Sequence, residues 1–163
     1  TPLESIAISK MDEEQMQQYL LYQETKGLLQ EFASPLDLDW EDEISSYYGY
    51  RKHPSTKEPQ LHRGLDIAVE EGTKVYASCT GRVTTIGYDE SYGNYIVIED
   101  NRGFVIKYAP LETMQVDIGQ EVVVGDWIGT IGKLEYQTES YLHLELMYGE
   151  EYYNPIFYFS TMQ

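Results

Sequence analysis

The chain has 163 residues, with 11 Lys+Arg against 28 Asp+Glu, a formal net charge of -17 and a pI near 4.3. One domain with an appendage fits that length, and 42% hydrophobic residues with 16 tyrosines give enough apolar surface for a core, which excludes a wholly disordered chain. The acidity excludes a general nucleic-acid binder, because a phosphate backbone is bound by neutralising it with Lys and Arg, and it disfavours anionic lipid headgroups in the same way.

Residues 1–50 hold 11 acids and 2 bases, against 17 and 9 in the remainder, so the first third differs in composition. Asp12, with Gln15 three positions on, makes an N-cap, and Leu21, Leu28 and Phe32 recur at helical spacing. A helix is predicted over 12–33, ended by Ala33-Ser34-Pro35. The acidic run 37–43 reads as a solvated linker rather than a cation site. The predicted division is therefore an acidic helix and linker over 1–43 and a second unit over 44–163. Thr1 is not a methionine, which reads as a processed form or an excised piece of a longer chain, and any membrane contact is assigned to a segment before Thr1. No run of 18 apolar residues is present to span a bilayer.

From residue 44 onward, short apolar runs alternate with glycine, and strands are predicted over 75–77, 81–87, 95–98, 104–108, 121–124, 127–131 and 141–147. Asp100-Asn101-Arg102-Gly103 is hairpin chemistry, and Gly119, Gly125, Gly129 and Gly132 fall at turn positions. The expectation is a mostly antiparallel all-β domain, with helical bundles and doubly wound sheets disfavoured. Trp127 is expected in the core. The single cysteine, Cys79, excludes an intramolecular disulfide framework and is expected to be a buried small residue without chemistry.

Three histidines are present. His62 stands four residues before Asp66, with Gly64 between them, so a bend at the glycine brings imidazole and carboxylate together. Tyr141, His143 and Glu145 share one face of a strand, while Leu142, Leu144 and Leu146 take the other, which turns His143 away from the core and toward a groove. Two imidazoles and a carboxylate form a zinc set that leaves a position open. The alternative from spacing alone is two surface histidines and an ordinary strand-edge aspartate.

Several stretches, in order, carry a resemblance: Tyr48-Gly49-Tyr50-Arg51-Lys52-His53-Pro54, then 62–68, 72–77, 93–98, 116–132 and Leu142-His143-Leu144-Glu145. Over about 44–157 the chain resembles the lysostaphin/LytM-type zinc endopeptidases of bacterial peptidoglycan. The resemblance implies an antiparallel β-sheet or sandwich domain of the duplicated hybrid motif type, with one zinc ion held by His62, Asp66 and His143. It also implies stem or cross-bridge peptides of the cell wall as substrate and an extracytoplasmic place at the bacterial envelope. Arg51, His53 and Tyr50 match elements near the groove: Arg51 is read as binding a substrate carboxylate or pairing with a nearby acid, His53 as ordering its loop. Tyr47, Tyr48 and Tyr50 are read as a groove wall or as plain packing.

Active members of that family carry two more histidines beside the metal, one in a Tyr-x-His-Leu element and one two residues before the last zinc ligand. Here those positions read Tyr108-Ala109-Pro110-Leu111 and Tyr141-Leu142-His143, so both histidines are replaced. Neither proline nor a neutral tyrosine takes a proton from water at neutral pH. Tyr141 as an oxyanion donor and Glu145 as a base are the remaining catalytic candidates, with Glu145 more simply a partner of a zinc histidine. Impaired or absent hydrolysis is expected, and the leading alternative is a non-catalytic envelope scaffold or regulator, resembling a sporulation-channel component or an amidase activator. The acidic helix would then contact another envelope protein. A biotinyl or lipoyl carrier is a remote alternative, since Lys74, Lys107 and Lys133 are not flanked by methionines as a carrier lysine commonly is.

Overall fold

β-branched and aromatic runs of five to nine residues, cut by glycines that must adopt positive φ, favour antiparallel hairpins over longer crossovers. The computed structural model describes residues 32–52 and 57–162, with Glu13 and Gln17, and is built almost wholly of antiparallel strands. They are β1 (Ile44–Ser46), β2 (Gly49–Lys52), β3 (Pro59–His62), β4 (Leu65–Ala68), β5 (Lys74–Tyr76), β6 (Gly81–Asp89) and β7 (Gly93–Asp100). There follow β8 (Phe104–Ala109), β9 (Leu111–Met114), β10 (Glu121–Val122), β11 (Trp127–Ile131), β12 (Tyr141–Tyr148) and β13 (Glu151–Tyr153). A single 3-10 turn, Pro155–Phe157, comes after them, capped by the Asn154 side chain.

The large sheet runs β1-β4-β12-β8-β7-β6-β10, with β13 added beside β12, and a smaller sheet runs β5-β11-β9. β2 and β3 form a separate hairpin. Strand periodicity sorts the large sheet into two faces. Leu65, Ile67, Ile96, Ile98, Ile106, Leu142, Leu144 and Leu146 point inward and are fully buried, in one core with Val75, Ile128 and Ile131 of the smaller sheet. The other face of β4, β8 and β12 carries the polar residues.

The predicted hairpin is present between β7 and β8: Asp100 Oδ1 accepts from the amides of Arg102 and Phe104, each at 2.9 Å, and Gly103 takes φ +95°, a conformation that disfavours any side chain there. Of the helix expected over 12–33, all but four positions lie outside the described residues. Glu13 and Gln17 are helical, whereas Phe32 is extended and bridges Phe159.

The stretch read as a solvated linker is corrected in part. Its acids at 37, 39, 42 and 43 are exposed, but Trp40 within it, like Leu36 just before it, is fully buried in the domain core, and the Trp40 indole donates to Ser34 Oγ at 2.9 Å. Backbone bonds then tie Phe32 to Tyr158 and Ser160, and Trp40 to Thr161, so this segment packs against the C-terminal one. A hydropathy reading dominated by five carboxylates hides one buried tryptophan. Trp127 is also corrected. It is 40% exposed, with Lys74 Nζ 4.6 Å from its ring centroid, because the inward positions of β11 belong to Ile128 and Ile131. Cys79 is buried as expected, and burial pushes its thiol up to about 12.

Candidate metal centre

Sheet register brings the predicted set together. His143 on β12 lies opposite Asp66 on β4 and opposite Ala109 on β8, so imidazole and carboxylate rise from the same face of adjacent strands. His62, the last residue of β3, reaches that point because Arg63-Gly64 turns the chain directly into β4. Gly64 is required by its neighbours: a Cβ there would stand 2.5 Å from His143 Cε1 and 2.8 Å from the Leu144 carbonyl oxygen. The ligating atoms of His62, Asp66 and His143 all lie within 4.8 Å of one another, and all three residues are buried.

Hydrogen bonds fix which atom of each ring faces the centre. His62 Nδ1 is 2.9 Å from the Tyr47 carbonyl oxygen, an acceptor only, so in the neutral ring the proton sits on Nδ1 and Nε2 presents its lone pair. That Nε2 is buried, has no hydrogen-bond partner, and lies 3.3 Å from Asp66 Oδ1. A lone pair facing a carboxylate with no proton between them is an arrangement that a cation relieves. His143 Nδ1 meets Asp66 Oδ1 at 2.6 Å, and its Nε2 meets Glu145 Oε2 at 2.7 Å. Tyr92, from the β6–β7 turn, lies flat on the His143 ring at 3.8 Å between centroids and 7° between planes.

The electrostatics follow from this packing. Burial alone would raise the Asp66 pKa, but the hydrogen bond and charge of His143, with the His62 imidazole 3.3 Å away, outweigh it and hold the carboxyl at about 2. Burial alone would lower that of His143, yet the carboxylates of Asp66 and Glu145 raise it above the ordinary imidazole value. In the metal-free site His143 is therefore held between two acceptors, and a metal taken by Nδ1 must displace a proton.

The two positions where histidines were missing are also placed. Pro110 follows Ala109, the residue paired with His143, and is buried against the β6–β7 turn, where a Cβ on Gly93 would meet it at 3.1 Å. Tyr141 is half-buried, shares the face of His143, and its hydroxyl oxygen accepts from Gln137 Nε2 at 2.6 Å. Burial, then the Asp66 charge, push the phenol up to about 12. Glu145 is 8% exposed and spends an oxygen on His143. A depression of about 440 Å³ lies near the ends of β4 and β12, lined by Ala68, Val69, Lys133 and Ser140, among others.

Of the three residues read as substrate contacts, Tyr50 and Arg51 lie on β2, paired with Leu61 and Gln60 of β3, and His53 lies outside the described residues. Of the tyrosines read as a groove wall or plain packing, Tyr48 packs, at 6% exposed, while Tyr47 contributes its carbonyl to His62. Sequence reading missed Tyr92 and Gln137, which come from turns. The Tyr92-Gly93 pair preceding an alternating strand was the signal for the first, and none existed for the second.

Residues 60–155 match the family model described as Peptidase family M23. Among curated proteins, the chain is 33% identical over 123 residues to the peptidoglycan DD-endopeptidase ShyC of Vibrio cholerae, covering 75% of this chain and 28% of that one. It is 36% identical over 113 residues to the DD-carboxypeptidase/endopeptidase Mpg of Neisseria meningitidis, covering 69% and 26%. The chain thus spans little more than a quarter of either relative. Among solved structures, a zinc containing peptidase from Vibrio cholerae aligns with TM-score 0.68 and 30% identity over 79% of this chain and 40% of that one. The catalytic domain of lysostaphin from Staphylococcus simulans aligns with TM-score 0.62 and 26% identity, over 69% of this chain and 88% of that domain.

Proposed function

This chain belongs to peptidase family M23, and from that membership we propose that it is a zinc-holding domain directed at peptidoglycan peptides in the bacterial envelope, with hydrolysis impaired by the loss of its proton-transfer groups. The observation that carries the metal is the buried, unpartnered Nε2 of His62, aimed at Asp66. Two imidazole nitrogens and a carboxylate are a donor set suited to zinc rather than to calcium or magnesium, which take oxygen ligands. His62, Asp66 and His143 would hold the ion. When bound, zinc supplies a Lewis acid that polarises a peptide carbonyl.

The chain's own residues orient the donors and withhold the proton transfer. Tyr47 fixes the His62 tautomer through its carbonyl, and Glu145 fixes that of His143, which is the ordinary role of a group behind a ligating histidine. With that oxygen engaged by His143, Glu145 is a positioning residue rather than a base. Tyr141 keeps its proton throughout the neutral range and is a donor. Pro110, where the family resemblance calls for an imidazole, offers neither proton nor lone pair. Loss of a positioned acid or base costs about 10² to 10⁴ in rate, and two such losses bring hydrolysis close to silence. The peptidoglycan target and envelope location rest on the relatives, a peptidoglycan DD-endopeptidase and a DD-carboxypeptidase/endopeptidase.

Co-sedimentation tests the reading. Protein carrying one zinc per chain is expected to pellet with purified insoluble peptidoglycan, while His143→Ala holds no zinc and stays in the supernatant. Equal zinc content in parent and variant overturns the ligand set, and a zinc-loaded parent that never pellets overturns the target.

A further inference from the structure

The turn following β11 decides the direction of a hydrogen bond in the groove. Leu134 N donates to Gln137 Oε1 at 3.1 Å, and Gln137 N donates back to the Leu134 carbonyl at 3.0 Å, which closes the turn. An amide oxygen only accepts, so the first bond fixes the otherwise ambiguous amide: Oε1 faces the turn and Nε2 faces Tyr141. The 2.6 Å contact between Gln137 Nε2 and the Tyr141 hydroxyl is therefore a bond in which the phenol oxygen accepts. Its own hydrogen is left to donate, and none of the described residues receives it.

The turn cannot easily slide. The Tyr136 hydroxyl donates to the carbonyls of Glu90 and Ser91, each at 3.2 Å, and Leu134 lies close enough to Gly93 that a Cβ there would meet it at 2.8 Å. The Leu134–Gln137 turn is thus clamped to the β6–β7 turn that carries Tyr92. Tyr141, His143 and Asp66 share one face of the sheet, so the phenol stands on the face that carries two of the three ligands. A donor locked beside a cation site, with neither histidine of the proton-transfer pair present, matches an anionic oxygen better than a reacting carbonyl.

We propose that Gln137 holds Tyr141 as a one-way hydrogen-bond donor, and that this donor together with the metal site recognises the free carboxylate end of a peptide. This rests on the zinc reading above. It makes the domain a receptor for the product side of cell-wall peptides, those already trimmed to a carboxylate. Gln137 is a positioning residue and Tyr141 the one that touches ligand.

The test uses the full zinc-loaded chain and two small probes, N-acetyl-D-alanine and its C-terminal amide, titrated calorimetrically with zinc content measured on each sample. The acid is expected to bind at least about tenfold more tightly than the amide, and Tyr141→Phe to lose about 10- to 100-fold for the acid with zinc content unchanged, the loss typical of a hydrogen bond to a charged group. Gln137→Glu preserves the acceptor for Leu134 N and so the turn, but it reverses the bond by accepting the Tyr141 proton. It should lose a similar factor. The double variant then separates reversal from simple charge repulsion: reversal predicts no loss beyond Tyr141→Phe alone, and repulsion predicts that the losses add. Unchanged affinity in Tyr141→Phe, equal affinity for acid and amide, or additive losses overturn the inference while leaving the zinc site standing. A parent that takes up no zinc overturns both.

Discussion

Replacing Gly64 by alanine tests whether the imidazole of His143 is fixed as tightly as the geometry requires. The new methyl carbon would lie 2.5 Å from His143 Cε1, 2.9 Å from its Nε2 and 2.8 Å from the Leu144 carbonyl oxygen, each well inside van der Waals contact. The imidazole yields only by straining its own contacts, because Asp66 holds one nitrogen, Glu145 the other, and Tyr92 covers its face. Overpacking of this kind costs about 1–3 kcal/mol, offset by about 0.4–1 kcal/mol from the stiffer unfolded chain. A net loss of about 1–2 kcal/mol corresponds to a fall in Tm of roughly 2–8 °C for a domain of this size. Thermal unfolding in chelator measures that loss without metal. Zinc titration of the same variant should show weakened binding, since the displaced ring moves Nδ1 out of register with His62 and Asp66. A variant that melts with the parent in chelator and binds zinc equally well would refute the claim that Gly64 is dictated by His143.

Three further outcomes are expected. The lowered pKa of Asp66 stabilises the metal-free protein above the ordinary aspartate range near 4 and ceases to do so as pH falls through about 2, a contribution of about 2 kcal/mol; the raised pKa of His143 stabilises below about 6.5 and is lost as pH rises through its folded value. Tm of the metal-free protein should therefore fall on the acid side between about pH 4 and 2, Asp66→Asn should remove that limb, and zinc affinity should instead rise with pH as His143 gives up its proton. Trp40→Ala should cost about 3–5 kcal/mol in chemical denaturation, since its side chain is fully buried, whereas a cost below about 1 kcal/mol would mean that the segment is dispensable. Pro110→His combined with Tyr141→His should raise the rate of peptide hydrolysis, and no gain would mean that proton transfer was not the deficit.

The sheet and the convergence of His62, Asp66 and His143 were legible because both rest largely on periodicity of two. Alternating Leu142, Leu144 and Leu146 against Tyr141, His143 and Glu145 assigned the faces of β12, and Gly64 between His62 and Asp66 marked the bend. The short strands β1, β2, β3, β9 and β13 were not among those predicted, since three or four residues show no period, whereas the equally short β5 and β10 were marked by valines beside glycine turns. Trp40 was hidden by the carboxylates around it, and Trp127 looked apolar enough for a core that its strand neighbours fill. The site's covering residues escaped for another reason. Tyr92 and Gln137 stand on turns far from the ligands in sequence, and only the docking of one turn on the other brings them to the groove.

The most direct test of the whole account is the release of new amino groups from purified peptidoglycan by protein shown to carry one zinc per chain, with His62→Ala as the control. The account predicts release no greater than that of the control, because the metal's donors are present and the proton-transfer groups are not. Release that clearly exceeds the control, and disappears when zinc is chelated, would contradict it and would mean that Tyr141 or Glu145 performs the proton transfer after all.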